Sequence, residues 1–142
     1  MTVESSLLMP PNKKPPEIPP TLPLPLVSQS PEKLSLSLNP ARAWFTTLGG
    51  VSKHIICNHS CDRLAYKVRC SNNHIYRVNP VYSFLESGRA HEFEVIRLQG
   101  GEARKDKIQI LFTIARENDL VPSSLFGNTA KVRSLIVPII TI

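Results

Sequence analysis

From Leu34 onward the chain alternates apolar and polar residues with a period of two, in short bursts separated by turn residues. A side-chain period of two belongs to a strand with one buried face, and it excludes an amphipathic helix over the same positions. Leu34, Leu36 and Leu38 alternate with Ser35 and Ser37 before Asn39-Pro40 interrupts the run. Lys53–His59 follows Gly49-Gly50 as a second strand. In a third, Leu64, Tyr66, Val68 and Cys70 share one face, and Lys67 and Arg69 share the other. Ser71-Asn72-Asn73 is a turn, His74–Val78 a strand closed by Asn79-Pro80, and Glu92–Leu98 a strand with Phe93 and Val95 inward. Gln99-Gly100-Gly101 turns the chain into Lys107–Ala115, where Ile108, Ile110, Phe112 and Ile114 line one face. Lys131–Ile140 is the last strand. Between them, Pro122–Phe126 reads as one helical turn capped by Gly127. No long segment has helical period. About seven short strands joined by turn clusters predict an all-β, two-sheet antiparallel sandwich over residues 34–142. The aromatic residues largely fit inward strand positions.

Residues 1–33 differ in kind. They hold nine of the thirteen prolines, in pairs and in Leu22-Pro-Leu-Pro-Leu26. Proline fixes φ and lacks the amide hydrogen, so this composition predicts a disordered, Pro-rich arm that favours polyproline II. Lys13-Lys-Pro-Pro16-Glu-Ile-Pro19 has the format read by aromatic proline-binding grooves, but such matches recur in any Pro-rich tail. The formal charge is +6, and the acidic and basic residues up to Lys33 cancel, so the excess lies on the sandwich. A basic domain attracts acidic partners, and a modest excess also serves solubility.

Cys57, Cys61 and Cys70 are odd in number and no secretory signal precedes them, which fits reduced thiols and a cytoplasmic location. Asn58-His59-Ser60 is a glycosylation sequon that carries no sugar there. No apolar run approaches the roughly 20 residues of a membrane span. His54, Cys57, His59, Cys61, Cys70 and His74 cluster in sequence, but Cys57-x-x-x-Cys61 and Cys70-x-x-x-His74 lack the paired spacing of a zinc ribbon. Cys70 continues the apolar stripe of its strand. A Cys–His pair could be drawn from Cys61 and His59, without geometry to support it. No phosphate loop, nucleophile elbow or acid pair occurs, and no strip of exposed aromatics among basic residues points to nucleic acid. The reading is a non-enzyme with no cofactor and no metal.

The run Tyr66-Lys-Val-Arg-Cys-Ser-Asn-Asn-His-Ile-Tyr-Arg-Val-Asn-Pro80 resembles the central signature of major sperm protein (MSP) domains. Ile55-Ile-Cys-Asn58 upstream, and Lys105-Asp-Lys-Ile-Gln-Ile110 and Ile136-Val-Pro-Ile139 downstream, match the family in order and spacing. The Ser71-Asn-Asn turn, Tyr76-Arg-Val and Lys105-Asp-Lys are most similar to the short, sperm-specific class P proteins of nematodes. The resemblance implies an immunoglobulin-like, PapD-like seven-stranded sandwich without catalysis. It further implies a structural or interaction role in the sperm cytoskeleton, with protein partners that include other domains of the family, met through sheet edges and loops. Thr129–Ile142 departs from the filament-forming member, so self-polymerisation is not implied.

The membrane-contact (VAP-type) branch of the same family binds acidic peptides carrying two aromatic residues. Carried over, its groove falls on Lys67, Arg69 and Lys107, with Cys70 and Ser71 beside them and Gln109 where that branch has an apolar residue. Strand alternation alone puts Lys67 with Arg69, and Lys107 with Gln109, on outward faces, where they form either a basic patch or an ordinary solvated surface.

Overall fold

A computed structural model describes residues 34–127 and 131–142. The disordered arm expected over residues 1–33 lies outside the described residues. Among the described residues nine strands form: β1 (Leu36–Asn39), β2 (Ala43–Phe45), β3 (Gly50–Asn58), β4 (Leu64–Cys70), β5 (Tyr76–Asn79), β6 (Tyr82–Leu85), β7 (Ala90–Arg97), β8 (Lys105–Ile114) and β9 (Arg133–Thr141). The 3-10 turn Pro122–Leu125 starts on proline. The strands make a five-stranded sheet, β2-β9-β8-β4-β6, and a four-stranded sheet, β1-β3-β7-β5.

The sandwich expected from alternation is therefore present, with two corrections. Among the described residues there are nine strands rather than seven, because β2 and β6 are only three and four residues long and show no usable period. The ladders are antiparallel except one: β2 lies parallel to β9, with Ala43 opposite Ile139 and Phe45 opposite Thr141. Both new strands arise by sheet switching. β1 runs on the edge of one sheet, and the chain passes through Asn39-Pro40 to β2 on the edge of the other. β5 passes through Asn79-Pro80 to β6 in the same way. Both Asn-Pro peptides are cis.

The core is the sum of the inward stripes. Leu36 and Leu38, Ile56, Leu64, Tyr66 and Val68, Phe93 and Val95, Ile108, Ile110 and Phe112, and Val137 and Ile139 are all buried. Ile114 departs from the expected stripe and is 39% exposed. The chain leaves the ladder there, and Ala115 turns inward instead, its N–H donated to the Arg63 carbonyl (2.9 Å). The three cysteines are free, so apolar burial carries the sandwich.

Asn58 closes the β3 end of the core. It is fully buried; its Nδ2 donates to the carbonyls of Asp62 (2.9 Å) and Leu85 (3.0 Å), and its Oδ1 accepts the Ser60 N–H (2.8 Å). The sequon nitrogen is thus inside the fold. At the opposite end of β3, Gly49 has φ +84°, and a Cβ there would stand 2.5 Å from the Arg97 carbonyl oxygen. Gly49→Ala should therefore cost about 1–3 kcal/mol in urea denaturation. Gly127, with nothing within 4 Å of its would-be Cβ, is the control, and Gly127→Ala should stay within about 0.5 kcal/mol of the parent.

Candidate functional site

β4 and β8 are antiparallel neighbours at the centre of the five-stranded sheet, so their outward residues share one surface. Register orders that surface into rows. Ile136 of β9, Gln109 of β8 and Arg69 of β4 lie side by side. Pro138 and Lys107 form the adjacent row, and Trp44, Ile140 and Lys105 the row beyond it. On the other side, Ser134, Leu111, Lys67 and Tyr82 span four strands. Arg69, Cys70, Ser71, Lys107 and Gln109, five of the six residues expected from the sequence, line one shallow cavity of about 190 Å³. Lys67 is outward on the same strand but stands apart from that cavity, its Nζ 5.7 Å from the centroid of the Tyr82 ring.

The six residues are not equivalent. Arg69 and Lys107 are exposed cations, one strand apart. Gln109 is half-buried between Arg69 and Ile136. Ser71 uses its hydroxyl inside the protein: Oγ donates to Asp106 Oδ1 (3.0 Å) and accepts the Lys107 N–H (3.0 Å). It fastens the end of β4 to the start of β8 and has no proton left to give a ligand. Asp106 lies buried beneath, its Oδ2 3.3 Å from Arg104 Nε. Cys70 belongs to the inward stripe. Burial pushes its thiol above the ordinary range, and its Sγ donates to the Asn72 carbonyl (3.7 Å). It is a wall of the cavity rather than a reactive group.

Sequence reasoning missed the apolar half of this face. Trp44, expected inward with the other aromatics, is 55% exposed, and Ile136 is 46% exposed. Tyr82 is also outward, where it packs at 6.2 Å against Phe126. The signal for Ile136 was present in its offset from the buried Val137 and Ile139. Trp44 could not be oriented from a strand of three residues.

The scattered histidines and cysteines do not converge on a metal. Among the described residues no group of three or more His, Cys, Asp or Glu could hold one. His54 is buried between the Pro40 carbonyl (2.7 Å) and Ser52 Oγ (2.8 Å). His91 faces the Tyr66 hydroxyl at 2.6 Å, and burial holds its pKa below the usual histidine value. Among the described residues no helix is long and apolar enough to cross a membrane.

Residues 35–131 match the family profile of the MSP (major sperm protein) domain. The chain is 33% identical over 105 residues to sperm-specific class P protein 31 of Caenorhabditis elegans, covering 74% of this chain and 97% of the relative. It is 43% identical over 77 residues to sperm-specific class P protein 32 of the same organism, covering 54% of this chain and 71% of the relative. The solved structure of WR4, a C. elegans MSP family member, superposes with a TM-score of 0.71 at 33% identity, over 75% of this chain and 97% of that one. A PapD-like domain of human CEP192 shares the fold alone, at TM-score 0.54 and 11% identity over 90% of this chain and 98% of that one. Strand order, core stripes and sequence agree on one assignment: the chain belongs to the major sperm protein domain family.

Proposed function

We propose that this chain is a non-enzymatic structural or adaptor protein of the nematode sperm cytoskeleton, cytoplasmic, and that it meets protein partners through the outer face of its five-stranded sheet. The observation that carries the reading is the mixed character of that face. Arg69, Lys105 and Lys107 form a basic stripe beside the apolar Ile136, Pro138, Ile140 and Trp44. Cations beside exposed apolar side chains supply both attraction for an acidic partner and a surface for it to bury. The sheet edges, expected from the sequence as meeting points, are poorly suited to the task. β1, β2, β5 and β6 are the four edge strands, and none exceeds four residues. A partner strand added there gains few backbone hydrogen bonds.

The relatives support a sperm role by their names and give no support to the membrane-contact branch. The chemistry of an acidic peptide with aromatic anchors still suits this face, because Ile136 stands beside Gln109 and offers apolar surface where β8 does not. Titration of the full chain with a fluorescent acidic two-aromatic peptide tests the face directly. Binding should weaken between low and physiological salt. The double variant Lys67→Glu, Lys107→Glu should weaken it by at least about tenfold, a loss of about 1.4 kcal/mol. Binding that survives both charge reversals would place the contact elsewhere.

A further inference from the structure

The four-stranded sheet brings together a cysteine, a histidine and a serine that the partner-binding reading does not use. Ser37 on β1 and Cys57 on β3 are direct cross-strand partners, and His59 lies two residues beyond Cys57. Cys57 Sγ is 3.9 Å from His59 Nδ1, and His59 Nε2 is 2.7 Å from Ser37 Oγ. The two contacts are complementary. If Nε2–H donates to the serine oxygen, Nδ1 keeps its lone pair and turns it toward the thiol. A nucleophile, a base and a group that orients the base then stand in line. Reagents can reach the thiol: Cys57 is half-buried, His59 is exposed, and the residue across from Cys57 on β7 is the small Ala90. Arg89, just before β7, and Glu92, two residues beyond Ala90 on it, are exposed, and His91 between Ala90 and Glu92 is half-buried against the Tyr66 hydroxyl.

The sequence suggested Cys61 as the partner of His59; the fold selects Cys57. Cys61 is the more exposed thiol, which makes it the natural comparison. Cys70 is half-buried and its thiol is turned to the Asn72 carbonyl.

We propose that Cys57 is the reactive thiol of this domain, a site of mixed-disulfide formation with low-molecular-weight disulfides, with His59 as its base. His59 Nδ1 takes the thiol proton. The Cys57 thiolate attacks one sulfur of the disulfide R–S–S–R, forming Cys57–S–S–R as the original S–S bond breaks. The departing thiolate takes the proton from His59 and leaves as R–SH. Cys57 is oxidised and the leaving sulfur reduced, and no further oxidant is needed. The adduct would lie on the outer face of the four-stranded sheet, whereas the basic face belongs to the five-stranded one, so neither reading depends on the other.

The test uses the reduced full chain, glutathione disulfide as the probe, and mass-spectrometric mapping of all three cysteines over time. Cys57 should be modified about tenfold faster than Cys61 at neutral pH, despite its lower exposure. His59→Ala should bring Cys57 down to about the rate of Cys61 and leave Cys61 unchanged. Ser37→Ala, which spares the base and removes only its orienting contact, should fall between the two. An unchanged urea midpoint in both variants separates the chemistry from folding. Faster reaction at Cys61, or a Cys57 rate indifferent to His59→Ala, overturns the proposal.

Discussion

Phe93→Ala is expected to lower the unfolding free energy of the chain by about 3–5 kcal/mol. Phe93 is fully buried on β7 and faces the other sheet. Its ring meets His54 edge-on at 6.4 Å and Tyr66 at 6.5 Å, so one side chain touches both its own sheet and the opposite one. Truncation opens a cavity whose walls are fixed strands, which collapse poorly and so recover little of the lost contact. No disulfide is present to hold the sheets while the core is weakened. Against a total stability of about 5–15 kcal/mol for a domain of this kind, the loss removes a large share. Urea denaturation measures it, and Phe93→Leu, which keeps most of the volume, should recover more than half. A shift below about 1 kcal/mol in the alanine variant would mean the two sheets repack around the vacancy.

Arg97→Met should cost nearly as much, about 3–4 kcal/mol, for an electrostatic reason. Arg97 is 3% exposed and sits on the inward side of β7. Its guanidinium donates to Gly100 O (2.7 Å), Leu98 O (3.0 Å), Thr47 O (3.4 Å), Glu102 O (3.3 Å) and Thr141 Oγ1 (3.2 Å). Thr141 Oγ1 is also bonded to the Tyr76 hydroxyl at 2.9 Å, and the guanidinium carbon lies 5.7 Å from that ring's centroid. One side chain thus satisfies carbonyls from the 46–49 turn and the 98–102 turn and ties both to the end of β9. Methionine fills the volume but removes the guanidinium donors from the Leu98, Gly100 and Glu102 carbonyls, while the Thr47 carbonyl keeps the Gly100 N–H and Thr141 Oγ1 keeps the Tyr76 hydroxyl. Arg97→Lys should rescue only part of the loss, because an ammonium offers three donors from a single point where the guanidinium offers five in a plane. The amide of Gly100, which donates to the Thr47 carbonyl (2.9 Å), should lose hydrogen-exchange protection in the methionine variant. Full protection there, with an unchanged denaturation midpoint, would show that water satisfies the carbonyls instead.

How far the sequence revealed this architecture depended on strand length and on what each face met. β3, β4 and β8 are long and have one buried face, so a register error would expose their whole apolar set, and their periodicity was legible. β2 and β6 are too short to show a period, and their positions follow from sheet switching, a tertiary event. Arg97 shares parity with Phe93 and Val95, so its inward direction was readable, but the oxygens it meets come from distant turns and were not. Arg69, Lys107 and Gln109 could be assigned outward by alternation. Their adjacency needed the pairing of β4 with β8, and the role of Ser71 needed the buried carboxylate of Asp106. Cys57 and His59 were close in sequence, yet only the pairing of Ser37 with Cys57 supplied the third member.

Among the described strands, every connection between consecutive strands passes from one sheet to the other except that from β8 to β9. A force that pulls one sheet from the other is resisted by more than dispersion across the core, because the covalent chain bridges the gap at each of the other connections, Asn39-Pro40 and Asn79-Pro80 among them. The load therefore reaches central and edge strands alike, but the edge ladders are three or four residues long, while the β3–β7 and β8–β9 ladders inside run about twice that length. Rupture should therefore start at the flanks by peeling, one hydrogen-bonded pair at a time, and the central strands should part last.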